Sequence, residues 1–265
     1  MLPLLLLYAA LGAVAGLLAG LFGVGGGIVI VPILVLAFDT QGVPAEVAMH
    51  AAVATSLATI VFTSCSSALS HQRRGAVRWG VVARLAPGIV AGTFAGASVA
   101  RWVPGTVLKA VFVVFLAAVS VRMLRGSRPR EGSACPGTAG MLAAGGGIGA
   151  VSSWVGIGGG TLTVPFLSWC AVPIHEAVGS SSAVGLFIAV SGSLGYALGG
   201  LGVQGVPAPA LGYISLPALA GIAGVSVLTA PLGARLAHRL DTRRLEQGFA
   251  ILLLLVAARM ACKLL

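Results

Sequence analysis

Of the chain's 265 residues, 58% are hydrophobic and only 8% charged, and a soluble fold of this length cannot hide that much apolar surface. The formal net charge of +10 would suit a nucleic-acid binder in water, but the arginines stand in short gaps between apolar runs, where cytoplasmic loops concentrate them. Composition therefore excludes nucleic acid as a partner, makes the lipid bilayer the solvent, and leaves one membrane domain over residues 1–265 with no stretch free for a soluble one.

Taken in chain order, the first apolar run covers 4–21. No Lys or Arg precedes Arg73, so the basic region of a signal peptide is missing and the run is expected to stay in the mature protein. Further helices are expected at 28–38, 47–70, 80–100 and 106–124, then at 139–155, 160–172, 177–198, 209–232 and 246–264. Several reach the roughly 20 residues that a core of about 30 Å requires, but 28–38 and 160–172 fall short. Each short run carries a proline, Pro32 and Pro165, which holds a bend at the expense of a backbone hydrogen bond.

Orientation follows from three arginine-bearing gaps: Arg73, Arg74 and Arg78; Arg122, Arg125, Arg128 and Arg130; Arg235, Arg239, Arg243 and Arg244. All three are expected in the cytoplasm. If every run, the short ones included, carries the chain across, these gaps share one side and both termini lie outside. Re-entrant short runs would send the third cluster to the opposite face, so the short runs are expected to cross and both termini to lie outside.

The chain also resembles itself. Gly23-Val24-Gly25-Gly26-Gly27-Ile28-Val29-Ile30-Val31-Pro32 aligns without gaps on Gly156-Ile157-Gly158-Gly159-Gly160-Thr161-Leu162-Thr163-Val164-Pro165. Glu46 to Ser56 can be laid on Glu176 to Leu186, and Gly96-Ala97, Leu108 and Phe112 on Gly233-Ala234, Leu245 and Phe249, through to Arg122-Met123 on Arg259-Met260. With five segments per copy, the second must be inserted upside down. The expected fold is an all-α polytopic membrane protein of two inverted repeats of about five transmembrane segments each, with short Gly/Pro-interrupted helices. Repeat 1 covers about 4–124, a cytoplasmic linker about 125–138, and repeat 2 about 139–265. Close helix packing through small residues accounts for Gly12, Gly16 and Gly20, but not for a glycine run followed by proline once in each half.

Consecutive glycines break a helix and expose N–H groups, and a helix starting directly after them points partial positive charge into the gap. Gly25, Gly26 and Gly27, with Gly158, Gly159 and Gly160, are therefore candidate anion seats. Thr55, Ser56, Ser180, Ser181 and Ser182 are expected to add hydroxyl donors, although such groups in apolar helices often bond only to their own backbone. His50, in an apolar stretch, is expected either to bind the anion, to carry a coupling proton, or to pack at the interface. Arg84 stands second to these, since its side chain can snorkel to the cytoplasmic surface.

Four cysteines, Cys65, Cys135, Cys170 and Cys262, show no metal-ligand spacing, which reads as small packing residues. The acids fall at segment ends or loops, without paired carboxylates or HExxH, so the sequence offers no catalytic residues, metal site or cofactor site.

With its duplicated GxGGGxxxVP motif and the hydroxyl-bearing stretches after it, the chain resembles the sulfite exporter TauE/SafE family over nearly its whole length. The resemblance implies a small anionic substrate, with sulfite, thiosulfate and organosulfonates as the family's range, carried by a secondary transporter in a bacterial inner membrane. The cysteine pairs that some members carry are absent from the sequence pattern here. A passive anion channel or uniporter is the alternative, and proton coupling and a homodimer stay open at this level.

Overall fold

The computed structural model describes residues 2–22, 26–125, 135–236 and 242–262. Its helices are α1 (Leu2–Phe22), α2 (Gly27–Thr40), α3 (Ala45–Gln72), α4 (Trp79–Ala100), α5 (Gly105–Arg125), α6 (Thr138–Val155), α7 (Gly160–Trp169), α8 (Ile174–Gly199), α9 (Leu216–Leu236) and α10 (Thr242–Cys262). A minimal antiparallel hairpin, β1 (Ala210–Leu211) with β2 (Ile214–Ser215), precedes α9. Among the described residues, six helices can cross a membrane by length and composition, within α1, α3, α4, α5, α8 and α9. The chain is a multi-pass, all-α membrane protein.

Two sequence expectations are corrected. The run expected at 209–232 opens as the hairpin, and its helix starts only at Leu216. The apolar residues ahead of it serve the hairpin, which buries Ile214 and Ser215. The run expected at 160–172 ends at Trp169, because Ala171 takes a left-handed φ of 56° and Pro173 follows.

Small residues let pairs of helices touch backbone to backbone. On α1, a Cβ at Gly12, Gly16 or Gly20 would strike the α9 backbone at Ile222, Ser226 or Ala230, a contact that advances in step along both helices and makes them parallel. Gly88, Gly92 and Gly96 of α4 meet Leu142, Gly146 and Ala150 of α6 in the same way. Such contacts replace the hydrophobic drive that lipid cannot supply.

α3 and α8 form the core and are the most buried of the long helices. The Ser67 and Ser182 hydroxyls lie 3.1 Å apart, while Ser64 stands against Gly185 and Leu57 against Gly192. As numbers fall along α3 they rise along α8, so the two helices run antiparallel. Exchanging α1–α5 for α6–α10 carries the α1/α9 pair onto α6/α4, α3/α9 onto α8/α4 and α2/α3 onto α7/α8. It returns α3/α8 and α5/α10 to themselves, and every one of these pairs is in contact.

The path of the short helices follows from a few side-chain bonds. His71 Nε2 lies 3.1 Å from the Gly20 carbonyl and Ser67 donates to Ala19 at 3.4 Å, so α1 and α3 end together. Gln41 Nε2 donates to the Tyr8 hydroxyl at 3.3 Å, which puts the end of α2 beside the start of α1. In the second half Tyr196 donates to the Ser153 carbonyl at 3.1 Å, joining the later parts of α6 and α8. Cys135 Sγ reaches the Cys170 carbonyl at 3.9 Å, joining the approach to α6 with the end of α7. A re-entrant hairpin would leave α1 antiparallel to α3. Instead α1 and α3 are parallel, as are α6 and α8, so α2 and α7 return the chain to the end from which each half began.

Candidate anion site

Gly26 and Gly159 cap α2 and α7 in the same backbone conformation, φ 78° and ψ −9° against φ 77° and ψ −13°. A side chain at either position would be strained, since only glycine occupies this left-handed region freely. The Gly26 carbonyl accepts from Val29 and Ile30 at 3.1 and 3.2 Å, and the Gly159 carbonyl accepts from Leu162 and Thr163 at 3.0 and 2.6 Å. The two first turns are thus built alike.

Both starts lie partway along the core helices. Gly26 abuts Ala15 of α1, and Gly27 abuts Ile60 near the centre of α3. Gly159 abuts Val184 and Ile188 of α8, and Gly158 touches Gly185. From there α2 and α7 extend for only about 21 and 15 Å at 1.5 Å per residue. A Cβ on Gly27 would collide with the Gly156 carbonyl oxygen and lie 3.0 Å from Ile157 Cα. The start of α2 therefore touches the turn that leads into α7. Ser56 bridges the same junction, donating to the Gly156 carbonyl at 2.8 Å.

Of the expected site residues, Gly26, Gly27, Gly158, Gly159, Gly160 and Ser56 gather here, while Gly25 lies outside the described residues. Thr55 turns to the hairpin, accepting from the Ser215 N–H at 3.0 Å. The serine triplet sits about a turn beyond Gly185, where its hydroxyls have other partners. Ser180 accepts from the Arg78 N–H at 2.9 Å, Ser181 donates to Val178 at 2.8 Å, and Ser182 pairs with Ser67 and with Val178.

His50 joins elements instead of facing the glycines. Its Nδ1 lies 3.0 Å from the Glu46 carbonyl and its Nε2 lies 3.1 Å from both Ala100 and Val103 carbonyls. Its ring stacks on Tyr213 at 5.1 Å. Arg84 is exposed on α4. Pro32 and Pro165 both lie inside their short helices, as expected.

Sequence reasoning passed over two groups. Thr161 and Thr163, in the first turn and a half of α7, have shielded hydroxyls with no hydrogen-bond partner among the described residues. The aligned glycine motifs carry the signal that points to them, because isoleucine fills both equivalent positions in the first copy. Sequence spacing also gave no cysteine pair, whereas the fold brings Cys135 against Cys170. Among the described residues no cluster of His, Cys, Asp and Glu could hold a metal ion.

The sulfite exporter TauE/SafE family profile matches residues 8–260. The chain belongs to that family. Among its relatives, a Haemophilus influenzae protein named "Probable membrane transporter protein" is 39% identical over 271 residues, 99% of this chain and 100% of that protein. A Methanocaldococcus jannaschii protein described in the same words is 28% identical, covering 93% of this chain and 90% of its own length. The Bacillus subtilis "Probable membrane transporter protein YunE" is 25% identical over 94% of each chain. No solved structure matches. The chain is a membrane transporter of the TauE/SafE family.

Proposed function

We propose that this transporter exports small sulfur-containing anions, such as sulfite or organosulfonates, across the bacterial inner membrane. The observation that carries the reading is the meeting of the α2 start with the turn into α7, beside the core pair. Helix starts supply unpaired N–H donors and partial positive charge, which hold an oxyanion without a buried cation. The sulfur chemistry comes from the family's name and not from any charged side chain.

Two inverted halves joined by a cytoplasmic linker fit this reading. The antiparallel α3 and α8, and the helix pairs that survive exchange of the halves, support inversion. The loop bearing Arg73, Arg74 and Arg78 follows α3, and Arg235 lies in the last turn of α9. α1, α3 and α9 all end together, through the His71–Gly20 contact and the Gly20–Ala230 approach. That end is assigned to the cytoplasm and both termini to the outside.

His50 is engaged by the Glu46, Ala100 and Val103 carbonyls, away from the glycine junction, and the membrane potential by itself drives anions outward. Flux of sulfite from proteoliposomes, under an imposed potential and separately under an imposed pH gradient, tests the proposal. Saturable, potential-dependent efflux is expected. Sulfite and sulfonate flux no greater than in empty liposomes would overturn the substrate class, and a resolvable single-channel current would replace the carrier with a channel.

A further inference from the structure

The two glycine motifs are built alike in backbone and differently in side chains. Gly26 and Gly159 share one conformation, and each accepts from the same two amides further along. The residues after them diverge: Ile28 and Ile30 in the first copy stand where Thr161 and Thr163 stand in the second. Both isoleucines are buried in the protein's hydrophobic core. Thr163 is fully buried too, yet its hydroxyl has no partner, and the hydroxyl of Thr161 is likewise shielded and unpartnered.

Unpartnered hydroxyls are a minority in this protein's helices: among the described residues Thr93, Ser152 and Ser193 share the condition of Thr161 and Thr163, but none of those three stands at a helix start. Thr59 donates to Thr55 at 2.8 Å, Thr63 to Thr59 at 3.1 Å, and Ser120 to Leu116 at 2.7 Å, each back to the carbonyl four residues earlier. That local bond is the ordinary fate of such a side chain in an apolar helix. Thr163 forgoes it and places Oγ1 over the cap, 3.2 Å from where a Cβ on Gly159 would lie. The N–H groups of Gly160 and Thr161, at the start of α7, also find no acceptor among the described residues. The Thr163 hydroxyl thus stands at a helix start beside two amides without an acceptor, whereas Thr161, two residues earlier, projects from another face of α7; buried donors left in that state carry a desolvation cost that an arriving acceptor removes.

Building on the proposed function, we infer that the two motifs are not equivalent: the oxyanion is held at the start of α7, by the Gly160 and Thr161 amides with the Thr163 hydroxyl. The α2 start is its apolar counterpart, which shapes the junction without binding. The occupant is an anion with several acceptor oxygens on one centre, as a sulfite or sulfonate group presents. No Lys, Arg or His occurs between Arg130 and His175, so every donor from this stretch is neutral. Neutral donors suit a singly charged group, a sulfonate or hydrogensulfite, better than a dianion such as sulfate, whose second charge would be desolvated without a counter-ion.

The test uses the full chain purified in detergent at mildly acidic pH, where sulfite is present as hydrogensulfite, with sulfite and methanesulfonate as probes and sulfate as the contrast. Thr163→Val keeps the shape and removes the hydroxyl. It is expected to weaken binding of both probes by roughly tenfold to a hundredfold, the usual value of a hydrogen bond to a charged group. Thr163→Ser should restore binding, and Ile30→Val should leave affinity within about twofold. Without ligand, Thr163→Val should unfold no earlier than wild type, since it removes an unpaired polar group. A hydroxyl with only a structural role would instead lower the unfolding temperature and leave affinity alone. Wild-type binding that survives Thr163→Val, or falls equally with Ile30→Val, would overturn the assignment while leaving the transporter reading intact. A wild-type chain that binds and moves neither probe would overturn both.

Discussion

Gly27→Ala isolates the junction between the two glycine motifs. The added methyl would collide with the Gly156 carbonyl oxygen and lie 3.0 Å from Ile157 Cα and 2.9 Å from Ile60 Cδ1. Ile60 can rotate away, but the other two atoms belong to a turn pinned by Ser56, which donates to Gly156 at 2.8 Å. Forcing one carbon into a packed site typically costs about 1–3 kcal/mol, and alanine's better helix propensity returns less than about 1 kcal/mol of it. A net loss of about 1–2 kcal/mol is therefore expected on thermal unfolding in detergent micelles. Reconstituted protein that remains folded should show flux lowered by at least about tenfold, the equivalent of roughly 1.4 kcal/mol in the barrier. The reasoning is refuted if the variant unfolds at the wild-type temperature and transports at the wild-type rate, because the two motifs would then not be in contact.

Two further substitutions test the packing and the role of His50. Within the Gly145–Gly147 run of α6, a Cβ at Gly147 meets nothing within 4 Å, whereas one at Gly145 lies 2.6 Å from the Leu85 carbonyl oxygen. Gly147→Ala should stabilise by roughly 0.5–1 kcal/mol and Gly145→Ala destabilise by about 1–3 kcal/mol; unfolding shifts of the same sign would contradict the α4–α6 contact. His50→Ala removes the ring that bridges Glu46 to the Ala100 and Val103 carbonyls, and should cost about 1–3 kcal/mol of stability without altering sulfite affinity. Intact stability with lost affinity would return His50 to the binding site.

Much of the helical framework was legible because the bilayer imposes a long apolar period on any chain that crosses it. The short helices were legible too, through Pro32, Pro165 and the glycines ahead of them. The start of α9 was missed, since residues 209–215 are apolar enough to continue a helix and only three-dimensional packing turns them into a hairpin. Hydroxyl groups were the hardest to assign. Ser56, Ser180 and Ser182 look alike in sequence, yet Ser56 bonds across the glycine junction while the other two bond at the Arg78 end of α8. A serine's role depends on its nearest acceptor, which composition does not record.

By itself, the sequence determined the solvent, the family and the duplicated glycine motif, because apolar content, span length and repeated residues are properties of the chain as a string. The tertiary structure alone decided that α3 and α8 pack antiparallel, that Gly27 meets the turn beginning at Gly156, and that the hydroxyl of Thr163 is left without a partner while that of Thr63 is not. These follow from which backbones approach closely enough to touch, and residues a hundred or more apart in the chain set that approach together.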